Sequence, residues 1–276
     1  MRRWVASSVM ARIGWAGVGL FVTAAILAPF LTPYDPVVQG ELVGGRLLPP
    51  STLHPLGTDP FARDVLSRLL HGARVSLGVA GLAVAISMTL GVLVGGIAGY
   101  VGGKLDGALM WLVDLVLAFP RLVLLIVLVA VLEPSTGLLI LALGLTQWPP
   151  VARLVRGEVL SLREREFVQA ARVAGLPHHR ILFRHVLPST AAPVVAAAAL
   201  GMGDTIVLEA GLSFLGLGVQ PPAPSWGAMV AEGRNHLPGA WWLATFPGMA
   251  IVLAVVAFNL AGEGVRSALD PREQGQ

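Results

Sequence analysis

No cysteine occurs in the 276 residues. That excludes a disulfide framework, thiolate nucleophiles and cysteine-ligated metals. Charge is scarce as well: 13% of residues are Asp, Glu, Lys or Arg, against roughly 25% in soluble domains. Lys104 is the single lysine, so the basic charge is almost wholly arginine. No Gly-x-Ser-x-Gly elbow and no His-Glu-x-x-His pair is present, which counts against an integral-membrane enzyme of the serine-hydrolase or zinc-peptidase kind. A phosphate loop is missing too. In the turn around Gly99-Tyr100-Val101-Gly102-Gly103-Lys104-Leu105, Ala98 takes the place of the first glycine and no Ser or Thr follows the lysine.

What remains is apolar. Hydrophobic residues make up 55% of the chain and the mean hydropathy is +0.76, the profile of an all-α polytopic membrane protein. Stretches near the 20 apolar residues that a spanning helix needs occur at 13–31, 75–98, 108–132, 137–151, 191–217 and 240–262. The fourth is short and ends at Trp148-Pro149-Pro150. Met1-Arg2-Arg3 before the first resembles a signal peptide, but 19 apolar residues are enough to span, so a retained helix is expected. The pI near 10.1 is read as positive-inside loops rather than nucleic-acid binding. With six spans, 13 of the 19 basic residues share the side of the N-terminus. Arg46, Arg63, Arg68, Arg74 and Arg234 lie on the other, and Arg121 falls inside a span. Both termini are therefore expected in the cytoplasm.

Two polar segments break this pattern. Segment 32–73, expected outside, begins rich in proline and glycine. It then suggests a short amphipathic helix on the membrane surface, with Asp59 as cap, Pro60 in the first turn and Val65, Leu66, Leu69 and Leu70 on one side. Together with the first span it forms an N-terminal unit, 1–73, ahead of a core at 74–276. Segment 153–188, expected inside, suggests two short helices, 164–174 and 178–186. Phe167, Ala170, Ala171 and Ala174 recur at i, i+3, i+4 and i+7, so they share a face that lets another backbone approach. Gly175 sits where a C-terminal cap belongs, Pro177 can begin the second helix, and Pro188 is expected to stop it.

Ionisable residues inside spans are costly and face a partner or a cavity. Asp114, Arg121, Asp204 and Glu209 are the candidates, with Asn259 as a further intramembrane polar group. Asp114, Asp204 and Glu209 each either lock helices or belong to a pathway, and Arg121, after Pro120, either snorkels to an interface, pairs with one of these acids or faces the pathway. Asp114 and Arg121 stand seven residues apart, near two full turns, and would share a face of an unbroken helix. Asp204 and Glu209 are five apart and would point differently. His178, His179 and His185 lack the acidic or thiol partners of a metal site, and none is expected there.

In segment 153–188, Ala170-Ala171, then Gly175, then Leu187-Pro188 resembles the EAA loop of ATP-binding-cassette importer permeases. Gln169 stands where glutamate is usual and His185 where isoleucine is usual; Glu166, one turn upstream, is placed to supply an acid. Leu56-Gly57-Thr58-Asp59, Arg63-Asp64-Val65-Leu66-Ser67-Arg68 and Gln220-Pro221-Pro222-Ala223-Pro224-Ser225-Trp226-Gly227 are similar to words of the dipeptide, oligopeptide and nickel branch, with Ala62 at a usual glycine. Their order and spacing are similar to those of C-type dipeptide permease subunits from about Leu56 to Pro271. The resemblance implies a permease moving di- or oligopeptides across the inner membrane, or nickel or another small solute. It implies a second permease subunit, two ATPases that hold the ATP and Mg, and an extracytoplasmic solute-binding protein. This chain would then hold no cofactor and do no catalysis. The docking residues implied are Glu166, Gln169, Ala170, Ala171, Gly175, Leu187 and Pro188. A self-contained secondary transporter is the rival from another class; no convincing inverted repeat supports it.

Overall fold

A computed structural model describes residues 9–32 and 34–268. The Met1-Arg2-Arg3 cluster and the 269–276 tail, which bear on orientation, lie outside the described residues. In chain order the helices are α1 (Val9–Leu31), α2 (Leu42–Gly45), α3 (Val65–Val101), α4 (Gly103–Leu117), α5 (Arg121–Val131), α6 (Thr136–Leu162) and α7 (Glu166–Val173). Then come α8 (His178–Ile181), a π-helical turn (Leu182–Val186), α9 (Leu187–Ser189), α10 (Ala191–Phe214), α11 (Trp226–Gly233) and α12 (Trp242–Ser267). Helices α1, α3, α6, α10 and α12 are long and apolar enough to cross a membrane. The pair α4 and α5, bent by 79° at residues 118–120, makes a sixth crossing if taken as one span.

Three boundaries differ from the sequence reading. The outer surface helix and the second span are one helix, α3, of 37 residues. At 1.5 Å per residue it is about 55 Å long, well beyond the roughly 30 Å hydrocarbon core. Its cap is Asp64, whose carboxylate accepts from Ser67 N, and not Asp59. The fourth span runs on through Pro149 and Pro150 to Leu162, so Arg153 and Arg156 belong to helix α6 rather than to a loop. The second short helix does not stop at Pro188. The chain widens into the π turn, in which Leu187 N bonds to Leu182 O, and continues toward α10. Pro188 then falls near the start of the next helical turn, where no amide donor is required.

Helices α3 and α6 pack along most of their length through small residues. A Cβ on Gly91 would lie 2.5 Å from Val151, one on Gly95 would meet the Ala152 carbonyl, and one on Gly99 would lie 2.9 Å from the Arg156 carbonyl. Spaced by four, these glycines form a groove into which the α6 backbone settles. Helix α1 packs on α12, and Ala11 near the start of α1 touches Gly264 near the end of α12. The start of α1 and the end of α12 thus lie on one side.

Candidate functional site

The candidates of segment 153–188 form a compact hairpin at the end of α6. Val168, Ala171, Ile181, Leu182 and Val186 are buried with Tyr100 of α3 and Val155 and Val159 of α6. Tyr100 Oη lies 3.1 Å from His178 Nδ1, and the Arg172 guanidinium sits over the Tyr100 ring. Helix α7 therefore turns its Val168–Ala171 side inward. This divides the alanine face expected from the sequence: Ala171 is inside, while Phe167, Ala170 and Ala174 are exposed. The outward side carries Glu166, Gln169, Ala170 and Val173, the last 90% exposed. Leu187 also points inward, against Gly96 of α3, whereas Pro188 is exposed. Gly175 has φ +74° and ends α7 with Leu176 N bonded to Ala171 O, as the cap reading expected.

The intramembrane candidates separate into three environments. Asp114 does not share a helix face with Arg121, because the chain breaks at Ala118-Phe119-Pro120 between them. Asp114 instead accepts from Arg153 Nη2 at 2.5 Å, and Asp106 takes both Arg156 Nε and Nη2 at 2.5 and 2.6 Å, so two ion pairs fasten α4 to α6. Glu209 is fully buried. It accepts from Ser76 Oγ at 3.1 Å and Ser213 Oγ at 2.7 Å, while Trp226 N donates to Ser76 Oγ at 3.1 Å. This knot joins α3, α10 and α11. Asn259 on α12 reaches toward Gly203 on α10.

Arg121 and Asp204 come together on a third feature, a cavity of about 300 Å³ between α4, α5, α6 and α10, with Thr146 and Gln147 on its wall. Arg121 donates to Thr146 Oγ1 and Leu143 O, each at 3.4 Å. Gln147 donates to Gly201 O at 3.2 Å and accepts from Thr205 Oγ at 2.8 Å, which fixes α6 to α10 beside the cavity. The glutamine was invisible to sequence reasoning; a lone Gln beside Trp-Pro-Pro carries no local pattern, and its partners are more than 50 residues away.

The sequence words around Thr58–Arg68 also have a physical role. Asp59 accepts from Arg63 Nε at 2.6 Å and pairs with Arg68, and Glu232 of α11 accepts from Arg68 Nη1 at 2.7 Å and Arg63 Nη2 at 3.3 Å. Thr58 Oγ1 donates to Gly45 O, and Trp242 Nε1 donates to Thr58 O at 3.2 Å. The segment before α3 is thereby bolted to α11 and α12. Glu232, the acid that completes the network, was missed because it lies about 165 residues away.

A bundle of long apolar helices, one broken span and a helical hairpin at one end define a polytopic membrane protein. A family model described as "Binding-protein-dependent transport system inner membrane component" matches residues 91–275, and the chain belongs to that family. It is 41% identical to the dipeptide transport system permease protein DppC of Alkalihalophilus pseudofirmus, over 95% of this chain and 86% of that one. It is 42% identical to the di/tripeptide transport system permease protein DppC of Pseudomonas aeruginosa, over 92% and 85%. Among solved structures, one of the MetNI methionine ABC transporter, in inward-facing conformations, aligns with a TM-score of 0.58 over 74% of this chain and 97% of that one. At 19% identity it shows the fold alone. The chain is thus an inner-membrane permease of a transport system, similar along nearly all its length to dipeptide permeases.

Proposed function

We propose that this chain is one of two permease subunits of an ATP-driven importer of short peptides, with both termini in the cytoplasm. The observation that carries the reading is the extent of the similarity: relatives named for dipeptide or di/tripeptide transport match over 92–95% of the chain. The hairpin supplies the mechanical part. The outward side of α7, with Glu166, Gln169, Ala170 and Val173, docks on an ATPase subunit. Ala171 and Leu187 hold that side in place from within, and Gly175 and Pro188 shape the turns at either end. Each of two ATPases grips one permease, and a solute-binding protein delivers cargo to the outer mouth. Closure of the ATPases around ATP and Mg displaces the hairpin and shifts the bundle between two access states, a bias on a two-state element.

The test is uptake of radiolabelled dialanine into proteoliposomes holding the assembled complex. Uptake should require ATP, both ATPases and the binding protein. Uptake that proceeds without ATPases points to a self-contained carrier and refutes the reading. A reporter fused after residue 276 should report a cytoplasmic location.

A further inference from the structure

The cavity between α4, α5, α6 and α10 holds two opposite charges that have no ion pair among the described residues. Its wall is mainly apolar, with Met88, Leu124, Val151 and Leu200. Arg121 spends two donors on long bonds to Thr146 and Leu143, and a guanidinium has five. Asp204 of α10 is exposed and lines the same cavity; its charge acts on Arg121, yet no salt bridge joins them. The contrast with the neighbouring acids is direct, since Asp106 and Asp114 are each matched to an arginine of α6. At membrane depth an ionisable residue without a partner marks a cavity that receives one.

We infer that this cavity reads the two charged ends of a short peptide. Arg121 takes the C-terminal carboxylate through parallel N–H donors, the geometry in which arginine binds carboxylates most strongly, and Asp204 takes the N-terminal ammonium. Gln147 is the positioning residue: by joining α6 to α10 it sets the separation of the two charges. A volume of about 300 Å³ is at the low end of ligand cavities, about 300–1,000 Å³. It suits a peptide of two or three residues rather than an extended chain. The inference rests on the peptide reading above and adds what the permease itself recognises.

The absence of cysteine makes the cavity directly testable. Ala197 lines it, and Ala197→Cys is a small change. In the assembled complex without binding protein, maleimide labelling of that cysteine should slow several-fold in excess dialanine. N-acetyl-dialanine amide, which lacks both charges, should give no protection. Dialanine amide should protect Arg121→Gln as well as free dialanine does, because the carboxylate no longer counts; Asp204→Asn should likewise stop distinguishing N-acetyl-dialanine from dialanine. Arg121→Lys should keep part of the carboxylate preference. Equal protection by capped and free peptide, or none by either, overturns the inference while ATP-driven dialanine uptake by the Ala197→Cys complex upholds the cargo. A complex that takes up no dialanine even without the substitution overturns both.

Discussion

Replacing Asp59 by alanine should destabilise the protein far more than replacing Glu232 by glutamine, although both acids contact the same two arginines. Asp59 and Arg68 are each 3% exposed, while Glu232 is 33% exposed. Besides its arginines, Asp59 accepts from Phe61 N at 2.8 Å and Arg63 N at 2.9 Å. Asp59→Ala leaves two buried guanidiniums facing one partly solvated acid. Removing one partner of a buried pair costs about 3–5 kcal/mol. Glu232→Gln removes a charge that water already screens and keeps an oxygen acceptor, so about 0–1 kcal/mol is expected. With about 2–4 °C lost per kcal/mol for a chain near this size, Asp59→Ala should melt at least 6 °C lower in detergent. Asp59→Leu with Arg68→Met leaves Arg63 facing Glu232 alone and should recover much of the loss, since the penalty comes from unbalanced charge. If Asp59→Ala and Glu232→Gln melt together, or if the double variant is no better than Asp59→Ala, the network is not what bolts the outer segment to α11.

Five other substitutions follow from the packing. Val173→Glu, on the outward side of α7, should leave thermal stability unchanged and abolish pull-down of the ATPases; Ala171→Trp should instead lower stability, because that site is inside. Gly175→Val should cost about 1–2 kcal/mol from backbone strain at φ +74°, with no steric clash to add to it, read as a lower melting temperature and weaker coupling of ATP hydrolysis to transport. Gly95→Leu should abolish monodisperse yield by wedging α3 off the Ala152 backbone, whereas Gly78→Leu, with open space around its Cβ, should be tolerated.

Length and hydropathy made the crossings legible, because lipid demands long apolar helices whatever their packing. Gly175 was legible for a similar reason: a left-handed cap has few solutions. What failed were inferences about ends and faces. Arg68 and Arg74 looked like the end of an apolar run, yet α3 passes through them, since Arg68 meets acids from the preceding loop and from α11. Pro149 and Pro150 looked like a stop, yet α6 continues through both, with Pro149 buried and Pro150 exposed. The alanine pattern of α7 fitted two neighbouring faces, and only the cluster of Tyr100, Val155 and Val159 decides which one is inside. The Asp114–Arg121 relation presumed a straight helix that Pro120 does not permit. For Arg68 and for the faces of α7 a deciding partner lies far along the chain, whereas the break between Asp114 and Arg121 is local.

The same partners show where movement at the hairpin would be felt. Helix α6 is fixed to α3 by the glycine groove, to α4 by Arg153–Asp114 and Arg156–Asp106, and to α10 through Gln147. At its end Arg163 Nη1 donates to Gly99 O at 3.1 Å, beside the turn that leads into α7. A push on α7 therefore reaches α3, α4 and α6 as one body. Helix α5 is held differently: it rests on α6, through Leu125 and Val129 against Leu139 and Leu143, and follows α4 through the bend at 118–120. Rigid packing resists graded deformation, so displacement concentrates where restraints are fewest. That place is the α4–α5 bend, and its first helical residue beyond the break is Arg121. A hairpin displacement that reopens or closes the 79° bend would swing this arginine relative to Asp204 on α10, changing the separation of the two charges that the cavity presents. In the proposed importer, nucleotide state at the ATPase would thus be converted into affinity for a peptide's two ends.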